Sequence, residues 1–123
     1  MNTADFEQIA SAVLLQRFPS FGSERELQDI IAARLERHNL LRDVRREFIL
    51  SSKSRLDFFW EVKGIVIEVK IKGSLGALWS QIERYSQDER VKGIVIVGIR
   101  VQELPPLCNN KPVRIINLWS KMF

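Results

Sequence analysis

Asp57, Glu68 and Lys70 are the residues of this chain whose types and spacing could do chemistry. They stand in Arg55 to Lys70, R-L-D-F-F-W-E-V-K-G-I-V-I-E-V-K, where two apolar β-type runs flank Lys63-Gly64. Lys-Gly between such runs predicts a tight hairpin turn, because Gly64 can take the positive φ that such turns require. If Lys63 and Gly64 form a two-residue loop, Val62 pairs with Ile65, Asp57 falls opposite Lys70 and Phe59 opposite Glu68. A loop at Val62-Lys63 instead sets Asp57 opposite Glu68. Either register puts Asp57, Glu68 and Lys70 on one face of the sheet and turns Ile65, Ile67, Val69 and Ile71 the other way, into a core. Directly opposite side chains have Cβ atoms about 5 Å apart and diagonal ones about 7 to 8 Å. Two carboxylates so placed could hold one cation between them.

The plainer reading is a cross-strand ion pair of Asp57 with Lys70, worth less than about 1 kcal/mol if exposed. Glu68 argues against it. It lies in the middle of I-V-I-E-V, the segment expected to be buried on both faces, and a buried carboxylate without a partner is expensive. A metal site is the preferred reading, mainly because the acidic pair and the lysine occur together.

The surrounding chain must supply the frame. With 123 residues, 46% of them hydrophobic, it suits one compact domain with one core. The net charge of +4 and pI near 9.6 favour an anionic partner, nucleic acid first. Cys108 is the only cysteine, so no intramolecular disulfide or cysteine-built zinc site is available within one chain. A start of M-N-T-A-D-F-E without a basic stretch, and a longest apolar run of only Gly93 to Ile99, predict a cytoplasmic protein without a membrane span.

Residues 3 to 18 read as an amphipathic helix capped by Thr3, with Phe6, Ile9, Ala10, Val13, Leu14 and Arg17 in helical spacing and Leu15 and Phe18 widening the apolar face. That face is expected to pack within the domain. Pro19 to Gly22 breaks the helix. Ser23 and Glu26 stand in capping-box spacing at the start of a second helix with a Leu27, Ile30, Ile31, Leu35 stripe. Glu24 lies near that stripe, so it either faces the sheet as a site residue or serves as a first-turn acid against the helix dipole. His38, the only histidine, sits at the helix end, where a catalytic role is not expected. Asp43 to Leu50 is a predicted strand with Val44, Phe48 and Leu50 on one face and Arg45, Glu47 and Ile49 on the other. Arg42, Arg45, Arg46, Lys53 and Arg55 make this region basic, which suits a phosphate backbone as well as a charged sheet edge. Glu47 is read as an ion-pair partner of Arg45 or Arg46 before a metal ligand.

Beyond the hairpin, Lys72-Gly73-Ser74 is a short loop and Leu75 to about Gln87 a third helix, with Leu75, Leu78, Trp79, Ile82 and Tyr85 as its core stripe. Gln81 and Tyr85, one turn apart, share a face. Lys92 to Val101 is a buried strand, parallel to Gly64-Ile71 because a helix connects them. Leu104-Pro105-Pro106 ends it. Residues 107 to 112 read as loop and Val113 to Leu118 as a final edge strand with Trp119 and Phe123 packed nearby.

This order of helix, three-stranded meander, helix and strand, carrying Asp57, ten residues, then Glu68-Val69-Lys70, resembles the PD-(D/E)XK nuclease superfamily over about Ser23 to Val101. Ser-Glu-Arg-Glu-Leu at residues 23 to 27 is similar to the first core helix of archaeal-type Holliday junction resolvases, with Glu24 as the counterpart of their site glutamate. Gln81-x-x-x-Tyr85 looks like the Q-x-x-x-Y motif of RecB-type nucleases. Leu56 departs from the motif, standing where its proline would precede the aspartate. The resemblance implies an α/β, restriction-endonuclease-like core in which one mixed sheet is flanked by helices. The core spans 23–101, after a helical extension over 1–19 and before a C-terminal loop and edge strand over 102–123. It further implies a Mg²⁺-dependent deoxyribonuclease of DNA repair or recombination, with Mn²⁺ as the other candidate ion. Asp57, Glu68 and the Val69 carbonyl would hold the ion, and Lys70 would assist the attacking water. Gln81, Tyr85 and Glu24 would support the site. Arg45, Arg46, Lys53, Arg55 and Lys72, with Tyr85, would meet the DNA backbone without reading bases. Hard oxygen donors without a usable His or Cys suit magnesium or manganese rather than zinc.

Two alternatives stand beside this: a DNA-binding or assembly module whose chemistry is lost or borrowed from a partner, and a metal-dependent hydrolase acting on RNA or a nucleotide. The retained Asp, Glu and Lys disfavour the first, since a retired site has no physical reason to keep a buried acidic pair. So small a chain has little surface for selecting a substrate alone, and we expect a homodimer or larger complex.

Overall fold

Ile65–Lys70 is the strand about which the rest of the fold is arranged, and only its last residue is not fully buried. The computed structural model describes residues 1–14, 17–40, 42–99, 101 and 103–118. In chain order the elements are α1 (Thr3–Leu14), α2 (Glu24–Arg37), β1 (Val44–Ser51), β2 (Ser54–Trp60), β3 (Ile65–Lys70), α3 (Leu75–Ser86), β4 (Gly93–Gly98), β5 (Leu107–Cys108) and β6 (Lys111–Asn117). The strands form one mixed six-stranded sheet in the order β1-β2-β3-β4-β6-β5. β1, β2 and β3 are an antiparallel meander, and β3, β4 and β6 run parallel. Continuous apolar runs such as G-I-V-I-V-G in β4 are what a strand covered on both faces requires.

Two apolar layers cover the sheet. On one face α1 and α2 bring Ile9, Val13, Leu27, Ile31 and Leu35 against Ile65, Ile67, Val69, Val95 and Val97. On the other, α3 brings Leu78, Ile82 and Tyr85 against Leu56, Phe59, Val66, Ile94 and Ile96. α1 thus packs within the chain, as its periodicity predicts. Its end is held by Arg34 of α2, whose Nη1 donates to the Val13 carbonyl at 2.6 Å and whose Nη2 donates to the Arg17 carbonyl at 2.9 Å. No helix among the described residues is long and apolar enough to cross a membrane.

Several local expectations are corrected. α1 is helical to Leu14, so Arg17 and Phe18 lie outside it, and its cap is Asn2 rather than Thr3, because the Asn2 Oδ1 accepts the Asp5 N–H at 2.8 Å. Ser23 does cap α2 through the Glu26 N–H, but Glu26 turns its carboxylate to the Gly22 N–H, one residue short of a reciprocal box. Leu75 is exposed and leaves the α3 stripe. Residues 107 to 112 are a hairpin, not a loop: Asn109 and Asn110 both take positive φ, as a two-residue turn requires, and β5 covers the outer edge of β6. Leu15, Trp119 and Phe123, given packing roles above, lie outside the described residues.

Candidate active site

The hairpin register follows from its turn. Trp60 pairs with Ile65 and Phe58 with Ile67 across a four-residue connection, Glu61 to Gly64, with Gly64 at φ +68°. The two-residue Lys63-Gly64 loop is therefore not formed, and the register is the one that would bring Asp57 opposite Glu68. The ladder stops short of that pair. From there on β3 is capped by side chains, since the Asp57 Oδ2 accepts the Val69 N–H at 2.8 Å and the Glu24 Oε1 accepts the Ile71 N–H at 3.0 Å. Alternate residues of a strand present their backbone groups to the same edge. Two carboxylates thus replace the missing length of β2 along one edge of β3.

The separation of the strands has a local cause. Leu56 packs with Phe59 under α3, while Phe58 and Trp60 pack under α1 and α2, so the period-2 alternation of β2 breaks beside Asp57. Across from it, Glu47 takes φ +53°, and β1 changes face there too, with Val44 under α1 and α2 but Phe48 and Leu50 under α3. The expectation that Val44, Phe48 and Leu50 share a face is corrected by this paired irregularity. Irregularities of this kind bend a strand and re-aim a side chain. Glu47 itself pairs with Arg25 of α2 at 2.8 Å, not with Arg45 or Arg46.

Glu68 and Lys70 stand on the α3 face, by alternation with Ile67 and Val69, and Asp57, whose carboxylate reaches the Val69 N–H at the edge of β3, lies close enough to act on Glu68. Glu68 is 4% exposed, and its Oε2 is buried without a hydrogen-bond partner. Burial and the adjoining, negatively charged Asp57 carboxylate push the Glu68 carboxyl up to about 9, against a smaller opposing effect of the nearby Tyr85 hydroxyl. Tyr85, 1% exposed, turns its hydroxyl toward the Arg55 carbonyl at 3.4 Å, and burial followed by the charge of Glu68 raises the phenol above its ordinary value. Tyr85 therefore supports the carboxylates from inside and is not accessible to a DNA backbone.

Lys70 forms no ion pair among the described residues, so the plain Asp57–Lys70 salt bridge is absent. Its side chain runs beside Gly73 and lines a cleft of about 220 Å³ with Lys72, Ser74, Leu78, Ile99 and Val101. Gln81 is half-buried one turn before Tyr85. Of the arginines predicted to meet DNA, Arg45 is bound to Glu61 and Arg46 to Asp29. Lys53, Arg55 and Lys72 are exposed and form no ion pair among the described residues.

The residues present fit a divalent cation in donor type. An orphaned, buried carboxylate oxygen beside a second carboxylate is a place where a proton or a cation is stabilised. The donors are hard oxygens: Asp57, Glu68 and the Val69 carbonyl, whose residue faces the edge that β2 leaves. Among the described residues, no group of three or more His, Cys, Asp or Glu side chains gathers to hold a metal ion. A cation here would depend on the two carboxylates, the carbonyl and water.

Sequence reasoning missed Arg84 and Ser54. Arg84, three residues after Gln81 on the same flank of α3, donates from Nε to the Ser54 Oγ at 2.9 Å. That i, i+3 spacing was the available signal. No protein-family model, curated protein or solved structure matches this chain.

Proposed function

We propose that this chain is a Mg²⁺- or Mn²⁺-dependent deoxyribonuclease with a restriction-endonuclease-like core of the PD-(D/E)XK type. The observation that carries this reading is Glu68, a buried carboxylate in the middle of β3 whose Oε2 has no partner and whose neighbour is Asp57, not a cation. A sheet built for stability alone would place an apolar residue there.

Asp57, Glu68 and the Val69 carbonyl would hold the ion, which when bound supplies charge neutralisation at the phosphoryl oxygens and a more acidic water. Lys70, which forms no ion pair among the described residues, would orient the attacking water and offset the charge that develops on the phosphoryl group. Tyr85 lies buried near Glu68 with its hydroxyl on the Arg55 carbonyl, and Asp57 is held in place by the Val69 N–H. Glu24 braces the β3 edge through Ile71. DNA passes over the Lys53, Arg55 and Lys72 side of the site.

The test is cleavage of supercoiled, linear, single-stranded and four-way-junction DNA with Mg²⁺, with Mn²⁺ and with EDTA, beside Lys70→Ala. Metal-dependent cleavage that disappears in Lys70→Ala is expected, and the preferred substrate names the subclass. Binding of DNA without cleavage by either protein would replace this reading with that of a binding module.

A further inference from the structure

We propose that Ser54 and Arg84 form a clamp for one phosphate of a nucleic-acid backbone, on the rim between the β1–β2 turn and α3. Consecutive residues of α3 dock on consecutive residues of β2: the Arg84 Nε donates to the Ser54 Oγ at 2.9 Å, and the Tyr85 hydroxyl meets the Arg55 carbonyl at 3.4 Å. Ser54 is 5% exposed, so the anchor lies inside the protein, whereas Arg84 is exposed. The Nη1 and Nη2 groups of Arg84 have no hydrogen bond or ion pair among the described residues.

A guanidinium held by its Nε, with both Nη groups left free, is a fixed fork of the geometry that matches two phosphate oxygens. Fixing it in advance lowers the ordering entropy lost when a ligand binds. Lys53 and Arg55, on either side of Ser54, are exposed and form no ion pair among the described residues, so the turn that carries the anchor is basic. Arg45 and Arg46, by contrast, are neutralised by Glu61 and Asp29. The anchor residue Ser54 lies three residues before Asp57 on β2, and Tyr85, next to Arg84 on α3, reaches the Arg55 carbonyl between them, so the clamp and the candidate site share one strand. The choice of nucleic acid as the polyanion rests on the nuclease reading.

The test is a fluorescence anisotropy titration of a labelled DNA duplex over a salt series, in EDTA and again in Ca²⁺, with the intact chain. Arg84→Gln, whose amide can still reach Ser54, is compared with wild type and with Arg17→Ala, an exposed arginine on the opposite side of the sheet. Removing one phosphate contact should lower the slope of log Kd against log salt by about 1 and weaken binding alike on unrelated sequences. Arg17→Ala should match wild type. An Arg84→Gln slope and affinity equal to wild type would overturn the clamp and leave the nuclease reading standing. Wild-type protein that binds duplex in neither condition also overturns it, and cleavage with Mg²⁺ then decides separately whether the nuclease reading survives.

Discussion

The Asp57 carboxylate accepts the Val69 N–H at 2.8 Å at the point where β2 ceases to pair with β3. One side chain therefore closes a gap in the backbone ladder and stands beside Glu68 at the site. The two roles are separable by substitution. Asp57→Asn keeps an oxygen that can accept the Val69 N–H, so its melting temperature should stay close to wild type while DNA cleavage falls about 10²–10³-fold, as for loss of one charge-stabilising group. Asp57→Ala should lose the same activity and in addition about 1–3 kcal/mol of stability, because a buried donor is left unpaired. Urea unfolding beside a cleavage assay distinguishes the two.

Glu68 makes stability depend on pH in a stated direction. Its folded-state carboxyl titrates at about 9 against an ordinary 4.5, so between those values the folded protein binds the extra proton. The contribution of Glu68 to stability is then fully present below about 4.5 and is lost as pH rises toward about 9. Melting curves in EDTA across this range should show that decline in wild type and lose most of it in Glu68→Gln. At alkaline pH, Mg²⁺ at about 100 times its Kd should restore about 2.7 kcal/mol to wild type and much less to Glu68→Gln. A wild-type curve indifferent to Mg²⁺ at every pH would count against a cation at Glu68.

Gly73 makes room for Lys70. Its φ is +115°, and a Cβ there would lie 3.0 Å from both the Cε and the Nζ of Lys70. Gly73→Ala should cost about 1–3 kcal/mol through backbone strain and displace the lysine, lowering kcat more than it weakens DNA binding. Single-turnover cleavage and anisotropy on the same protein would separate these effects, and unchanged kcat would show that Lys70 needs no such space.

Arg34 should matter to stability and not to chemistry. It is 9% exposed, stacks over the Phe18 ring at 3.9 Å and donates to the carbonyls of Val13 and Arg17. Arg34→Ala should lose on the order of 3 kcal/mol, from hydrogen bonds to a charged group and the packing of its stem. The surviving folded fraction should cleave and bind as wild type does, which activity corrected for folded fraction by circular dichroism would check.

What could be read before folding was whatever depends on neighbours in sequence. The Ser23 cap, the α2 and α3 stripes, the positive φ at Gly64 and the parallel placement of β4 follow from local sterics, periodicity and the handedness of a βαβ connection. The Asn109-Asn110 turn is equally local, since two adjacent residues that tolerate positive φ stand between short β segments. The Glu47–Arg25 pair was not legible, since no spacing in sequence relates a strand residue to the first turn of an earlier helix.

The same division runs through the candidate site. By itself the sequence determined that Glu68 and Lys70 share one face of β3, because alternation along a strand is a property of the chain. Only the tertiary structure decided that β2 parts from β3 at Asp57, that Glu24 arrives from α2 to bond Ile71, and that Tyr85 is buried while Arg84 beside it reaches Ser54. Those relations arise where separate elements compete to satisfy the same backbone edge and the same core space. Their outcome depends on packing of the whole chain.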